Sequence, residues 1–275
     1  MNDGIILWEA HRGGGGGFEM PESCHLSFEY GWLLGGRPEA DVNMTKDGVI
    51  VSLHDPTLDR VVRDLPEEFK GVPINELTYE QVRSCDVGWE EYPSQHIPKM
   101  SELLEVLRND KSRNMIIDYK RVELELLAQM IREYGVGSQI TFAFRDREVC
   151  RAMKRLVPEI RTKNWLGGSA QNIMDQFEVL KQEDFAGITE VQLHLNDVAE
   201  EDRKDGWRYA LTPDFIRYTL AVTKEKDVLL QTLPWQFERE DLVKILDLGV
   251  RSFAVDFPNK FTKICAEYFS AARYC

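Results

Sequence analysis

Four short clusters in this 275-residue chain carry the side chains best suited to chemistry: His11-Arg12, Glu39-Ala40-Asp41, His54-Asp55 and Asp118-Tyr119-Lys120. An imidazole titrates near neutral pH, so His11 and His54 are candidates to take or give a proton. Glu39 and Asp41 stand two residues apart, and on a strand such residues project from one face. Two carboxylates held together repel unless a cation lies between them, and a hard divalent ion bound through oxygen fits that place. Asp118 is a third oxygen donor for such an ion, and Lys120 offers a point charge to a phosphate oxygen. Singly, each cluster has an ordinary reading: an E-x-D pair is usually a solvated edge strand, and a lone histidine is usually exposed or packed. Their shared position at the ends of predicted strands is what favours chemistry.

The five glycines at 13–17 match neither familiar nucleotide loop. No Gly-Lys-Ser/Thr follows them, and Phe18 occupies the sixth position that a GxGxxG beginning at Gly13 requires. They read as a flexible turn.

Stepping along the chain, short β-rich runs alternate with helix-period stretches. Strands are predicted at 5–10, 39–44, 115–119, 140–144, 160–164, 188–193, 228–232 and 252–256, and helices at 22–34, 101–108, 122–134, 146–156, 170–181, 213–224, 239–248 and 258–274. Ser101, Thr212-Pro213 and Asp256 before Pro258 mark helix starts. Eight strands alternating with eight helices point to an α/β fold of the (β/α)₈ TIM-barrel type, with a doubly wound open sheet as the alternative. In such a barrel, active residues gather where strands end at the C-terminal face. A further β-like run at 49–53 and the segment 56–98 break the rhythm. The chain is therefore expected to be one domain, 1–275, with a small insertion after the second strand, at 56–98, that helps to cover the site.

The formal net charge is −13, which argues against nucleic acid as a partner, because phosphate backbones are bound by clustered Lys and Arg. An anionic substrate would have to be drawn by a local positive centre. Cys24, Cys85, Cys150, Cys265 and Cys275 are scattered without ligand spacing and read as reduced thiols. No apolar stretch approaches the roughly 18 residues of a membrane span, and the N-terminus lacks a basic region ahead of its short apolar run. These features predict a cytoplasmic protein without stable membrane insertion; association into a homo-oligomer is compatible with them.

In order along the chain stand His11-Arg12-Gly13, Pro21-Glu22-Ser23, Glu39-Ala40-Asp41, Thr45-Lys46-Asp47-Gly48, His54-Asp55, Ile97-Pro98 before Ser101-Glu102-Leu103-Leu104, and Gly249-Val250 through Asp256-Phe257-Pro258. This series resembles the glycerophosphodiester phosphodiesterase family, densely over residues 5–120 and thinly between 140 and 225. The resemblance implies metal-dependent hydrolysis of a glycerophosphodiester, a small-molecule substrate, to sn-glycerol 3-phosphate and an alcohol. It implies one divalent ion, Ca²⁺ or Mg²⁺, on Glu39, Asp41 and Asp118; phosphate contact by Arg12 and Lys120; acid/base catalysis by His11 and His54; and support from Glu22. The chain departs from the family pattern in three places. Asp118 stands where the family usually has Glu, Ser23 replaces Asn, and Leu230-Gln231-Thr232-Leu233-Pro234-Trp235 replaces a WTVN segment. These departures bear on the substrate and keep two alternatives in view: a phospholipase D-like phosphodiesterase acting on lysolipids, and a barrel that binds phosphate ligands without turnover. His25 and His96 read as structural or exposed. His194 with Gln192, and Trp165 and Trp235, fall near strand ends and could line the pocket or pack in the core.

Overall fold

The computed structural model describes residues 5–271. Eight parallel strands close on one another: β1 (Leu7–Ala10), β2 (Arg37–Met44), β4 (Met115–Arg121), β5 (Ile140–Phe144), β6 (Arg161–Leu166), β7 (Glu190–Leu195), β8 (Leu229–Pro234) and β9 (Ser252–Val255). β1 pairs with both β2 and β9, which completes the ring. β3 (Ile50–Ser52) lies outside it, antiparallel to β2. The helices α1 (His25–Leu33), α3 (Met100–Asn109), α4 (Leu124–Tyr134), α5 (Arg147–Leu156), α6 (Ala170–Gln182), α7 (Pro213–Glu225), α8 (Arg239–Asp247) and α9 (Pro258–Ala271) connect or follow the strands. The chain is thus a (β/α)₈ TIM barrel, as its alternating pattern predicts, and not an open sheet.

Each strand divides its side chains between two surroundings. On β7, Val191, Leu193 and Leu195 belong to the apolar layer shared with the helices, while Glu190, Gln192 and His194 alternate with them. The interior of the barrel is unusually polar. Arg37 donates two hydrogen bonds to Glu190, at 2.9 and 3.2 Å. Lys163 pairs with Glu9 and donates to Gln231 at 3.2 Å. Burying such ions costs solvation, which the paired geometry offsets. The helices contribute apolar stripes, for example Leu127, Ala128 and Ile131 of α4.

Several boundaries differ from expectation. β6, β7 and β8 each begin one or two residues later than predicted and run two residues further. Ile160, Ile188 and Val228 are buried just before their strands start. Ser101 does not cap its helix; Lys99 precedes α3 in extended conformation. Thr212 does cap α7, its hydroxyl accepting from the Phe215 N–H at 3.2 Å. The first helix starts at His25, because Ser23 has φ +54° and breaks the predicted helix after Glu22.

Residues 56–98 contain one short α-helix, α2 (Tyr79–Arg83), two 3₁₀ turns (Glu67–Phe69 and Ile74–Glu76), and a second apolar cluster including Leu58, Ile74, Leu77, Val82 and Ile97, packed with Cys24, Val51 and Leu53. Cys24, Cys85, Cys150 and Cys265 are free and buried; Cys275 and the last predicted helical turn lie outside the described residues.

Candidate active site

Strand register builds the centre of the site. Asp41 of β2 lies directly opposite Asp118 of β4, and Glu39 lies two residues back on the same face. Glu39, Asp41 and Asp118 are all buried, and each offers an oxygen within 4.8 Å of the others. Neither Asp41 oxygen receives a hydrogen bond; Lys120 Nζ approaches Oδ1 at 3.1 Å outside hydrogen-bonding geometry. Asp118 accepts from Trp165 Nε1 at 3.0 Å and from Lys120. Burial, then the Asp41 charge, pushes the Glu39 carboxyl up to about 8; burial likewise raises Asp118. Three buried carboxylates, Asp41 among them with no hydrogen bond to either oxygen from the described residues, are a donor set that a hard divalent cation satisfies.

The two histidines flank this cluster, each oriented by a carboxylate. His11 follows β1, and its Nδ1 lies 2.6 Å from Asp256 Oδ1 at the end of β9. Its Nε2 is 3.7 Å from Glu39 Oε2. His54 Nδ1 lies 2.7 Å from Asp55 Oδ1. The carboxylate partner requires a proton on each Nδ1, which directs the tautomer and leaves Nε2 for chemistry. Their electrostatic settings differ. Burial opposes charging His11, but the Glu39 and Asp256 carboxylates outweigh it and bring it to about 9. Burial lowers His54, and Arg12 and Lys120 oppose the attraction of Asp41.

Arg12 sits at the turn after β1 with φ +52°. Its backbone N–H donates to Glu39 Oε2 at 3.0 Å and its Nη1 to Glu22 Oε2 at 3.2 Å, while its buried Nε has no partner. Glu22 also accepts two bonds from Arg60, both 2.7 Å, and Arg60 Nε donates to Asp55 at 2.5 Å. Arg60, from the 56–98 segment, therefore links the loop holding Arg12 to the carboxylate that orients His54.

A cavity of about 200 Å³ collects these groups, lined by His11, Glu39, His54, Asp118 and Lys120 and walled by aromatic residues. Trp165 stacks on His194 with centroids 5.3 Å apart, and Trp235 meets both His11 and His194 edge-on at 5.7 and 5.2 Å. His194 Nε2–H donates to Gln192 Oε1 at 3.2 Å; burial, aided by His11, Lys163 and Lys120, pushes it down to about 3, so it is neutral. His25 and His96 are exposed and stand elsewhere, on Glu102 and the Cys85 carbonyl.

Five of the eight residues singled out in the sequence, His11, Glu39, His54, Asp118 and Lys120, line this cavity; Asp41 clusters with Glu39 and Asp118, and Arg12 and Glu22 adjoin through hydrogen bonds to Glu39 and to each other. Sequence reasoning missed Asp55, Asp256 and Arg60 as orienting groups. The first two adjoin quoted motifs and could have been found there; Arg60 carries no local signal.

The glycine run is a structural turn. The N–H groups of Gly15 and Gly16 both donate to the His11 carbonyl, at 2.8 and 2.7 Å. A Cβ on Gly15, whose φ is +103°, would come within 2.4 Å of Pro258 Cδ and 2.7 Å of the Asp256 carbonyl. Gly15→Ala is accordingly expected to cost about 1–3 kcal/mol, read as a fall in the denaturant midpoint. It should also lower activity, because the clash displaces the residue that holds His11. Unchanged stability would show that the turn yields without strain.

Comparison with known proteins agrees with this geometry. A glycerophosphodiester phosphodiesterase of Bacillus altitudinis is 27% identical over 271 residues, covering 94% of this chain and 97% of the relative. The structure of a glycerophosphodiester phosphodiesterase from Agrobacterium tumefaciens superposes with a TM-score of 0.72 at 16% identity, covering 94% of this chain and all of that one. An Oleispira antarctica phosphodiesterase, in complex with the product sn-glycerol-3-phosphate, gives 0.68 at 16% identity, with 97% of each chain covered. The model of the glycerophosphoryl diester phosphodiesterase family matches residues 11–260, so this chain belongs to that family and is a phosphoric diester hydrolase of the glycerophosphodiester phosphodiesterase type.

Proposed function

We propose that the chain hydrolyses a glycerophosphodiester to sn-glycerol 3-phosphate and an alcohol, with His54 as general base and His11 as general acid. The observation that carries this reading is the pair of carboxylate-oriented imidazoles on either side of the acidic cluster, one biased to be protonated and one to be neutral. Glu39, Asp41 and Asp118 would hold the divalent ion, Ca²⁺ or Mg²⁺. When bound, such an ion offsets negative charge on the phosphodiester oxygens. The guanidinium of Arg12, with an unpartnered Nε, and the Lys120 ammonium supply the remaining positive charge for the phosphate. His54 Nε2 takes a proton from the attacking water as its oxygen bonds to phosphorus, and His11 Nε2–H gives one to the alkoxide as the bond from phosphorus to the alcohol oxygen breaks. Asp55 and Asp256 hold the two rings in the required tautomer. Glu22 and Arg60 fix Arg12 and Asp55 in place. The relative that carries sn-glycerol-3-phosphate supports the choice of product. The buried free thiols fit the reducing cytoplasm, where we place the reaction.

The test is hydrolysis of a panel of water-soluble glycerophosphodiesters with EDTA, then with Ca²⁺ or Mg²⁺ restored separately. Release of glycerol 3-phosphate that depends on added metal is the expected result. Cleavage of a lysolipid alone would transfer support to the phospholipase D-like reading. Ligand binding without product under either ion would leave a non-catalytic barrel.

A further inference from the structure

A second cavity, of about 350 Å³, adjoins the first and shares His54, Lys120 and Trp165 with it. Trp165 therefore stands between the two, one ring face occupied by His194. The outer chamber is open to solvent and carries three cations, Lys120, Arg121 and Arg145, against one carboxylate, Asp55. That carboxylate is already engaged by His54 and Arg60. Among the described residues Arg121 reaches only the Asn43 side-chain oxygen, at 3.4 Å, and neither it nor Arg145 has an ion-pair partner. Asp146, next to Arg145, turns its carboxylate the other way and accepts the Glu148 N–H at the start of α5. On a chain of net charge −13, two guanidiniums without an ion pair among the described residues thus face one small chamber.

With the phosphate and its glycerol in the inner cavity of about 200 Å³, the adjoining outer one is left for the other ester substituent. We infer that the outer chamber is the subsite for the departing alcohol, and that it selects an alcohol bearing its own anionic group, a phosphorylated polyol above all. Guanidinium groups bind phosphate with two parallel hydrogen bonds, which an ammonium or neutral head group cannot engage. Tyr119 and Phe144, which also line the chamber, give an apolar floor for the carbon ring or chain of the head group. A cationic head group such as choline would face Arg121 and Arg145 with like charge.

This inference rests on the hydrolytic reading above, and the assay separates the two. Three substrates share the glycerophosphate half: glycerophosphoinositol 4-phosphate, glycerophosphoinositol and glycerophosphocholine. The first should have a kcat/KM about tenfold or more above the second, with the third lowest, and the gap should narrow as salt is raised. In the Arg121→Gln/Arg145→Gln double variant the ratio between the two inositol substrates should fall toward one, and Arg145→Lys should recover part of it. Equal kcat/KM for the two inositol substrates, or a ratio untouched in the double variant, overturns the inference while hydrolysis itself stands. Absence of product from all three with either ion overturns the hydrolytic reading and this one with it.

Discussion

Replacing His11 by Ala should lower turnover of a glycerophosphodiester by about 10²- to 10⁴-fold, and most of that loss should vanish on an analogue whose leaving group is p-nitrophenolate. An acid is needed only when the departing oxygen is a strong base; p-nitrophenolate leaves without a proton. His54→Ala should lose a similar factor on both substrates, since removal of the nucleophile's proton is required in each case. The asymmetry follows from surroundings. His11 lies between Glu39 and Asp256, which favour the imidazolium, whereas His54 is partly buried with Arg12 and Lys120 nearby. The same assignment fixes the pH profile of kcat/KM. The base must be neutral, so the acid limb falls below the ordinary histidine value of 6.5. The acid must be protonated, so the alkaline limb lies at or below about 9, lower when a bound cation offsets the Glu39 charge. Should His54→Ala be the variant rescued by the good leaving group, the two roles are reversed.

The barrel was legible because short β-rich runs alternate with helix-period stretches, most plainly at β7, where Val191, Leu193 and Leu195 face the helices. The strand limits were less legible for the same reason that the site exists. On β7 the residues beyond the predicted end at Leu193 are His194, which turns inward, and Leu195. On β2 the strand opens with Arg37-Pro38, a pair that reads as loop until Glu190 is found across the barrel to neutralise Arg37. A pattern rule that expects apolar lumens cannot see a charge whose partner is 153 positions away. The acidic doublets were legible because strand periodicity alone puts Glu39 and Asp41 on one face, and pairing with β4 then brings Asp118 alongside. Arg60 was not, since nothing local tells that a residue of the 56–98 segment returns to Glu22 and Asp55.

The polar lumen also explains why the site tolerates so much charge. Beneath the carboxylate cluster, Glu9 is matched by Lys163, and Gln231 joins Lys163 to Gln192 and so to His194. The charges of the floor are thus paired with one another, and the carboxylate cluster lies above them at the mouth, where ligands enter. Within that mouth, Asp41 is the residue with buried oxygens and no hydrogen bond.

Asp41→Asn should therefore make the metal-free protein more stable and the metal-loaded one less so. Without a cation, Asp41 faces Asp118 across the sheet and Glu39 along the strand, and Lys120 alone approaches it with opposite charge. Removing one negative charge relieves that repulsion, so the melting temperature in EDTA should rise. In the wild type, Ca²⁺ or Mg²⁺ at about a hundred times its Kd should add about 2.7 kcal/mol, which for a domain of this size is a rise of about 5 °C. The neutral amide is a weaker ligand, and the remaining carboxylates, Glu39 and Asp118, lie on different strands. The metal-induced rise should then shrink to a small fraction at the same ion concentration. Both shifts are read by thermal unfolding and need no substrate, so they test the ion site apart from turnover. A metal-induced rise in Asp41→Asn equal to that of the wild type would remove Asp41 from the ligand set. A lower melting temperature in EDTA would mean that Lys120 already compensates the cluster, and that its ammonium, not a metal, is the cation around which these three carboxylates are arranged.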